Sequence, residues 1–499
     1  MDTKINQNQI NLAAWDTCYI FKANVDPSQY KDYIFVILFL KYISDVWKEH
    51  YETYSKQYGD EEERIRRKLD RERFILPKGA SFDDLYANRT AEDLGNLINK
   101  ALDAIERQNK AKLEGVFRNI DFNSESNLGS TKDRNRRLKL LLEDFAKPEL
   151  DMRSCSVSED MIGNTFTYLI EKFASAGKKA GEFCTPNAVS TLLAKLAKPK
   201  DGDRICDPVC GSGGLLVEAA REVGSRNFAL FGMEVNVSSW ALARMNMFLH
   251  GCDSARIEWC NTLTNPQLKE HNRLMKFNVV IATPPFFLDK WGAEEADGDK
   301  YKRFWRGIPP KSKGDYAFIS HMIEVALAKE GRVAVVVPHG VLFREGPEGK
   351  IRQKLIEENL LDAVIGLPEK LFSTTGISVA ILIFDRSREN GGKNQSRNDI
   401  LFIDASHDYE AEKNQNILPA SQIEKIMKIF DGREEILKFS HLASFQEVKE
   451  NDFNLNIPRY VNTFEEKKEI DVMALQNEIE SLEAELIQVR SKMISILQI

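Results

Sequence analysis

Three segments carry residue types from which a nucleoside and nucleobase site can be built. The first, Asp207-Pro208-Val209-Cys210-Gly211-Ser212-Gly213-Gly214, joins the apolar run RIC to the helical pattern LLVEAAREV. Glycines at a strand-to-helix turn let a ligand approach the backbone, and the amides of the following helix face whatever binds there. The turn lacks the Lys-Ser/Thr of a P-loop, which disfavours a triphosphate. In the second segment, Glu234 lies 27 residues beyond Asp207 at the end of the next apolar run, where a carboxylate accepts hydrogen bonds from ribose hydroxyls. An open glycine turn with an acid at that spacing suits an adenosine cofactor without phosphates, S-adenosyl-L-methionine. Turn capping and surface solvation are the plain alternative for both acids. In the third, Thr283-Pro284-Pro285-Phe286-Phe287 follows the run VVIA. Consecutive prolines impose a stiff, extended exit that projects carbonyls and an aromatic face into a crevice, a geometry able to accept from an exocyclic amine while the ring stacks on its base. Alone, such a turn is a rigid loop. In register with the glycine turn it becomes the candidate catalytic site.

A further stretch, KYKRFWRGIPPKSK at 300 to 313, holds six basic residues, the aromatics Tyr301, Phe304 and Trp305, and no acid. Basic groups interleaved with rings suit phosphates and an unstacked base, and a solvated lysine-rich loop is the alternative.

These segments need elements to position them. Between about 160 and 460, the runs RICDPV, FALFGMEV, FNVVIAT, GRVAVVVP, LDAVIGLP and SVAILIFD alternate with amphipathic helical stretches. Several runs are apolar on both faces, as buried parallel strands must be, so a doubly wound α/β sheet is expected, with ligands at the carboxyl ends of its strands. From 1 to about 150 the spacing is helical throughout, with a charged stretch at 59 to 73 that reads as a solvated helix face. At the far end, Val472, Leu475, Ile479, Leu482, Leu486, Val489, Met493 and Ile496 are spaced 3, 4, 3, 4, 3, 4, 3. That a/d seam predicts a coiled-coil or partner-docking helix, the alternative being a helix packed on its own domain.

Composition bounds the remaining possibilities. The chain has 499 residues, 42% of them hydrophobic, and a net charge of −7. A protein that grips nucleic acid alone usually carries a basic excess, so a partner or a local patch must do the holding. Seven cysteines without a CxxC pair argue against a disulfide framework and a zinc ribbon; no metal site is expected. The longest apolar stretch, YIFVILFL, is far short of a membrane span, and the N-terminal residues lack a signal-peptide core. A soluble, cytoplasmic protein with no membrane partner is the expectation.

At these residues the chain resembles the modification (methyltransferase) subunit of type I restriction-modification systems, within the DNA adenine-N6 methyltransferase family. The likeness runs through AAWDTCYIFKANVDPSQYKDYIFVILFLKYISD (13 to 45), GEFCTP (181 to 186), DPVCGSGG, GMEVNVSSWALARMNMFLHG (232 to 251), VVIATPPF (279 to 286), GRVAVVVPHGVLFREG (331 to 346) and NDFNLNIPRYV (451 to 461). It implies a Rossmann-like methyltransferase domain at 155 to 462, preceded by an all-helical domain at 1 to 150 for assembly and clamping DNA, and followed by a docking helix at 465 to 499. It also implies methyl transfer from S-adenosyl-L-methionine to N6 of a flipped adenine. By the same resemblance, Glu182, Phe183, Cys184, Thr185, Pro186 and Asn187 close over the methionine end of the cofactor. Asp207, Gly211, Ser212, Gly213 and Gly214 lie beneath that end, and Glu234 meets the ribose. Asn261 stands where the family's Asp holds the cofactor's adenine amine, and its amide oxygen is expected to accept there. The implied partners are DNA, a specificity subunit, a second modification subunit and, in the full complex, a restriction subunit. The family motif reads Asn-Pro-Pro-Phe, whereas this chain has Thr283. Losing one positioned polar group costs on the order of 2.7 to 4 kcal/mol at a transition state. Two readings therefore stay open: an active methyltransferase, or a catalytically impaired cofactor-binding scaffold of the same kind of complex. An enzyme acting on RNA or protein amides is a third, which the extent of the resemblance disfavours.

Overall fold

The computed structural model describes residues 5–22, 27–176, 185–372, 375–412, 415–462 and 472–497. Its centre is a nine-stranded sheet. In chain order the strands are β1 (Arg204–Asp207), β2 (Ala229–Glu234), β3 (Arg256–Trp259), β4 (Val279–Ala282), β5 (Arg332–Pro338), β6 (Leu361–Gly366), β7 (Val379–Asp385), β8 (Ile400–Asp404) and β9 (Ser440–Ala443). Across the sheet they run β9-β8-β6-β7-β5-β4-β1-β2-β3.

Alternation along β5 shows why the runs are apolar on both faces. Ala334 and Val336 belong to a core that also holds Phe35 and Leu192. Val333, Val335 and Val337 belong to another, with Ile319 and Leu355. Helices therefore cover both faces, among them α3 (Asn187–Ala197) on the first and α6 (Asp315–Val325) on the second. The two helices between them in sequence, α4 (Gly214–Val223) and α5 (Val237–Leu249), follow β1 and β2 directly.

The expectation of parallel pairing holds from β3 through β5 and again between β6 and β8, and fails at β7 and β9. SVAILIFD forms β7, which runs antiparallel to both β5 and β6. No helix lies among the described residues of 367–378, so the chain turns back without the crossover that a parallel return requires. With both faces buried, apolar patterning cannot report strand direction.

The described residues of 1–150 contain helices and no strand. The longest helix, α1 (Pro27–Tyr58), buries every residue from Tyr33 to Leu40, as a helix apolar all round must. Its Phe35 packs on Phe166 and Phe173 of α2 (Glu159–Ala176), with ring centroids 4.7 and 5.5 Å apart. Arg73 donates to Tyr42 at 2.6 Å, to the Phe248 carbonyl and to both oxygens of Asp253, tying the helical region to α5 and the residues just after it. The helices and the sheet form one compact unit extending to Val461. A second unit, from Asn462 onward, contains α7 (Val472–Leu497), where Ile479, Leu482, Leu486, Val489, Met493 and Ile496 are each at least half exposed. Among the described residues no helix is long and apolar enough to cross a membrane.

Candidate cofactor and target-base site

A cavity of about 610 Å³ opens at the carboxyl ends of β1, β2 and β4, within the size range of small-molecule sites. Asp207 ends β1 and is 2% exposed. Its Oδ1 accepts from the backbone N–H of Val209 at 2.9 Å. Burial, with the Glu234 charge adding to it, pushes its carboxyl up to about 8.

Gly211 and Gly213 adopt φ of +53° and +80°. At Gly213 the conformation is what favours glycine, since the nearest obstacle to a Cβ, the Met247 Cε at 2.9 Å, ends a flexible side chain that can shift. Ser212 borders the cavity, and its carbonyl accepts from Asn246 Nδ2 at 3.0 Å. Gly214 begins α4 with open space where a side chain would stand.

Glu234 ends β2. Its Oε2 accepts from the Gly211 N–H at 3.0 Å and its Oε1 from the Asn236 N–H at 2.7 Å. These bonds fix its orientation, and a carboxylate offers about four acceptor sites. Thr283, directly after β4, is 8% exposed and borders the cavity. Its hydroxyl is buried and has no partner among the described residues, an arrangement costing about 1–3 kcal/mol unless a ligand completes it. Pro285 also borders the cavity; Pro284 is buried, and Phe286 meets Phe372 edge-on at 5.4 Å. Thr185 and Asn187 line a smaller pocket of about 50 Å³ shared with Asp207, Ser212, Gly214 and Thr283. Pro186 caps α3 with its backbone. Glu182, Phe183 and Cys184 lie outside the described residues.

Two expectations are corrected. The Asn261 Oδ1 already accepts from the N–H groups of Leu263 at 2.9 Å and Thr264 at 3.1 Å, so it closes a turn instead of facing a ligand's amine. Within 300 to 313, both arginines are internal. Arg303 is 2% exposed and bonded to Asp299, His321 and the carbonyls of Thr262 and Leu263. Arg306 pairs with Glu324 at 2.7 Å and Glu358 at 2.6 Å. What remains for an anionic partner is the lysines and the half-exposed Trp305. Residues the sequence did not single out also border the cavity: Lys31 and Phe35 from α1, Phe173 from α2, and Lys290 and Trp291 after the proline turn. Their only signal was helical periodicity or loop composition, neither of which marks a ligand wall.

These residues fit S-adenosylmethionine. A buried carboxyl beside a glycine turn can face a cation, a backbone-oriented glutamate can take a ribose, and no P-loop lysine is present for phosphates. Comparison with known proteins points the same way. Residues 157–469 match the N-6 DNA methylase family and residues 10–145 the HsdM N-terminal domain. The MpnII methylase subunit of a type I restriction enzyme from Mycoplasma pneumoniae is 31% identical over 99% of this chain and 96% of its own. The chain belongs to the family of type I restriction-modification methylase subunits. Its activity is that family's methylation of adenine N6 in DNA, with S-adenosylmethionine as donor. The MjaVIII methylase subunit of Methanocaldococcus jannaschii is 31% identical over 91% of this chain and 79% of its own. The crystal structure of a type I methyltransferase subunit from Streptococcus thermophilus is similar at a TM-score of 0.82 and 33% identity, covering 92% of this chain and all of that one.

Proposed function

We propose that this methylase subunit carries out transfer at the cavity bordered by Glu234 and Thr283, with Asp207 in the smaller pocket that Thr283 also lines. What supports the reading is that Glu234 and Thr283 border that cavity while Asp207, on the strand between theirs, shares a smaller pocket with Thr283. Asp207 and the turn of Gly211, Ser212, Gly213 and Gly214 would hold the methionine end of the cofactor, with Thr185, Pro186 and Asn187 beside it. Glu234 would hold the ribose. When bound, S-adenosylmethionine supplies a methyl group on an electrophilic sulfonium.

The chain's own part is to present the acceptor nitrogen. The Thr283 hydroxyl and the Pro284 carbonyl would accept from the target amine, which localises its lone pair for attack, while Phe286 offers a face to the extruded base. A protected cavity also limits competition from water. Held by Thr283 and Pro284, the acceptor nitrogen would take the methyl group that the bound cofactor supplies, and its surplus proton would pass to solvent.

The helical region at 1 to 150 would clamp DNA with a specificity subunit and a second modification subunit, a restriction subunit joining in the full complex. The helix within 465 to 499 would dock to these partners, and the methyltransferase domain would occupy 155 to 462. The assembly would work in the cytoplasm, on DNA whose sequence the specificity subunit reads.

The test is incorporation of labelled methyl groups into duplex DNA by the chain with its partner subunits. Incorporation that is lost on Glu234→Ala is expected. Cofactor binding without transfer, unchanged by Thr283→Asn, would leave the scaffold reading, which the shorter Thr283 side chain favours.

A further inference from the structure

Phe287 has a backbone φ of +61°, a left-handed conformation that a bulky side chain rarely adopts. Phe453 shares it at φ +54°, but Phe453 is only 8% exposed, so its place in a core accounts for the backbone. Phe287 is 47% exposed and has no such burial. A strained backbone that holds an aromatic ring out of the core, directly after the proline turn, points to a contact made by the ring itself.

The segment that carries it is firmly held. Phe286 meets Phe372 edge-on at 5.4 Å. The Leu288 carbonyl accepts from the Gly314 N–H at 2.9 Å, the Lys290 N–H donates to the Lys311 carbonyl at 3.2 Å, and Nε1 of the buried Trp291 donates to the Pro310 carbonyl at 2.9 Å. Residues 284 to 291 are thus stitched to residues 310 to 314. Pro285, Leu288, Lys290 and Trp291 border the cavity and Phe287 does not, which places it at the rim. Lys313 Nζ lies 5.1 Å from its ring centroid. Across the two segments Asp289 is the sole acid, against Lys290, Lys311 and Lys313. Lys290 is exposed, and Lys311 reaches Glu294 at 3.2 Å.

A target adenine that enters the cavity leaves a gap in the duplex outside, and its unstacking is unfavourable. Apolar side chains inserted at a base step offset that loss, and lysines beside them meet the phosphates. Phe287 has the ring, the rigid mount and the cationic surroundings for this role. We propose that Phe287 is a positioning residue that stacks on the bases bordering the vacated position and so keeps the target extruded. The proposal rests on the reading above that the target base enters this cavity.

The test uses the complex of this chain with its partner subunits, S-adenosylhomocysteine, and a recognition duplex carrying 2-aminopurine at the target position, whose fluorescence rises on unstacking. Wild type is expected to give a severalfold rise, Phe287→Tyr to keep it and Phe287→Ala to lose most of it. Affinity for the paired duplex should fall about tenfold in Phe287→Ala, the scale of one stacked base, but less than about threefold when the target is mismatched and already loosened. Phe287→Gly, which relaxes at φ +61°, should share these losses while unfolding at no lower urea concentration than wild type. An unchanged rise in Phe287→Ala, equal losses on paired and mismatched duplexes, or a lower urea midpoint for Phe287→Gly overturns the proposal and leaves the cavity's role intact. Absence of any rise with wild type overturns both.

Discussion

Asp207 is the residue whose chemistry depends most on what occupies the cavity. Its ordinary value is 3.8, and burial with the nearby Glu234 charge holds it at about 8 in the folded chain. The folded protein therefore keeps a proton that the unfolded chain releases across that window. The resulting stabilisation is full below the unfolded value and is lost as pH rises toward 8. Asp207→Asn should flatten this part of the profile: urea midpoints compared at pH 5 and 8 should fall less for the variant than for wild type, and equal falls would refute the assignment. A cationic ligand placed beside the carboxyl favours the ionised form. Binding of S-adenosylmethionine near pH 7 should then release about one proton, read as a dependence of binding heat on the buffer's ionisation enthalpy. Asp207→Asn should abolish that dependence. Thr283 gives a second prediction at this scale. An asparagine amide reaches further than a hydroxyl and offers an acceptor without competing rotamers, so Thr283→Asn should raise methylation by roughly a hundred- to a thousandfold. Unchanged initial rates with saturating cofactor and partners would show that the threonine is not limiting.

At the scale of elements, the site depends on how firmly the turns after β1 and β3 are held, and Arg303 holds the second of these. Replacing it with methionine would leave Asp299 a buried, unpaired charge and strip donors from two carbonyls and His321. Breaking a buried pair from one side costs about 3–5 kcal/mol. Arg303→Met should show a loss of that order in urea unfolding, and a loss below about 1 kcal/mol would mean the network relaxes around the gap. This arginine also marks the limit of what the sequence makes legible. In KYKRFWRGIPPKSK nothing separates Arg303 and Arg306 from the lysines, because their acids at 299, 324 and 358 lie outside that stretch and are assembled by the fold. Asp207, the glycine turn, Glu234 and Thr283 were legible because each sits at a strand end where type and spacing repeat a known chemical requirement. The direction of β7 was not, since pairing sense leaves no trace in a strand buried on both faces. Nor was the contribution of Lys31 and Phe35 to the cavity, since α1 reads as core along its whole apolar stretch.

At the scale of the molecule, a net charge of −7 has to be reconciled with a DNA substrate. Burial of Arg303 and Arg306 withdraws two positive charges from the surface near the proline turn, which strengthens the inference that affinity comes from assembly and not from this chain alone. Helix α7 offers the means. Six of its a/d positions, from Ile479 to Ile496, are at least half exposed, and under the proposed function this apolar seam would receive a partner helix. Charging the seam should separate assembly from chemistry. Leu482→Asp with Leu486→Asp removes two adjacent knobs without touching any residue of the cavity. The variant should bind S-adenosylhomocysteine with unchanged affinity by calorimetry. It should fail to co-elute with its partner subunits in size-exclusion chromatography, and DNA binding at physiological salt should fall with it. Retained co-elution would place the docking surface elsewhere, while loss of cofactor binding together with assembly would show that the helix supports the fold of the methyltransferase itself.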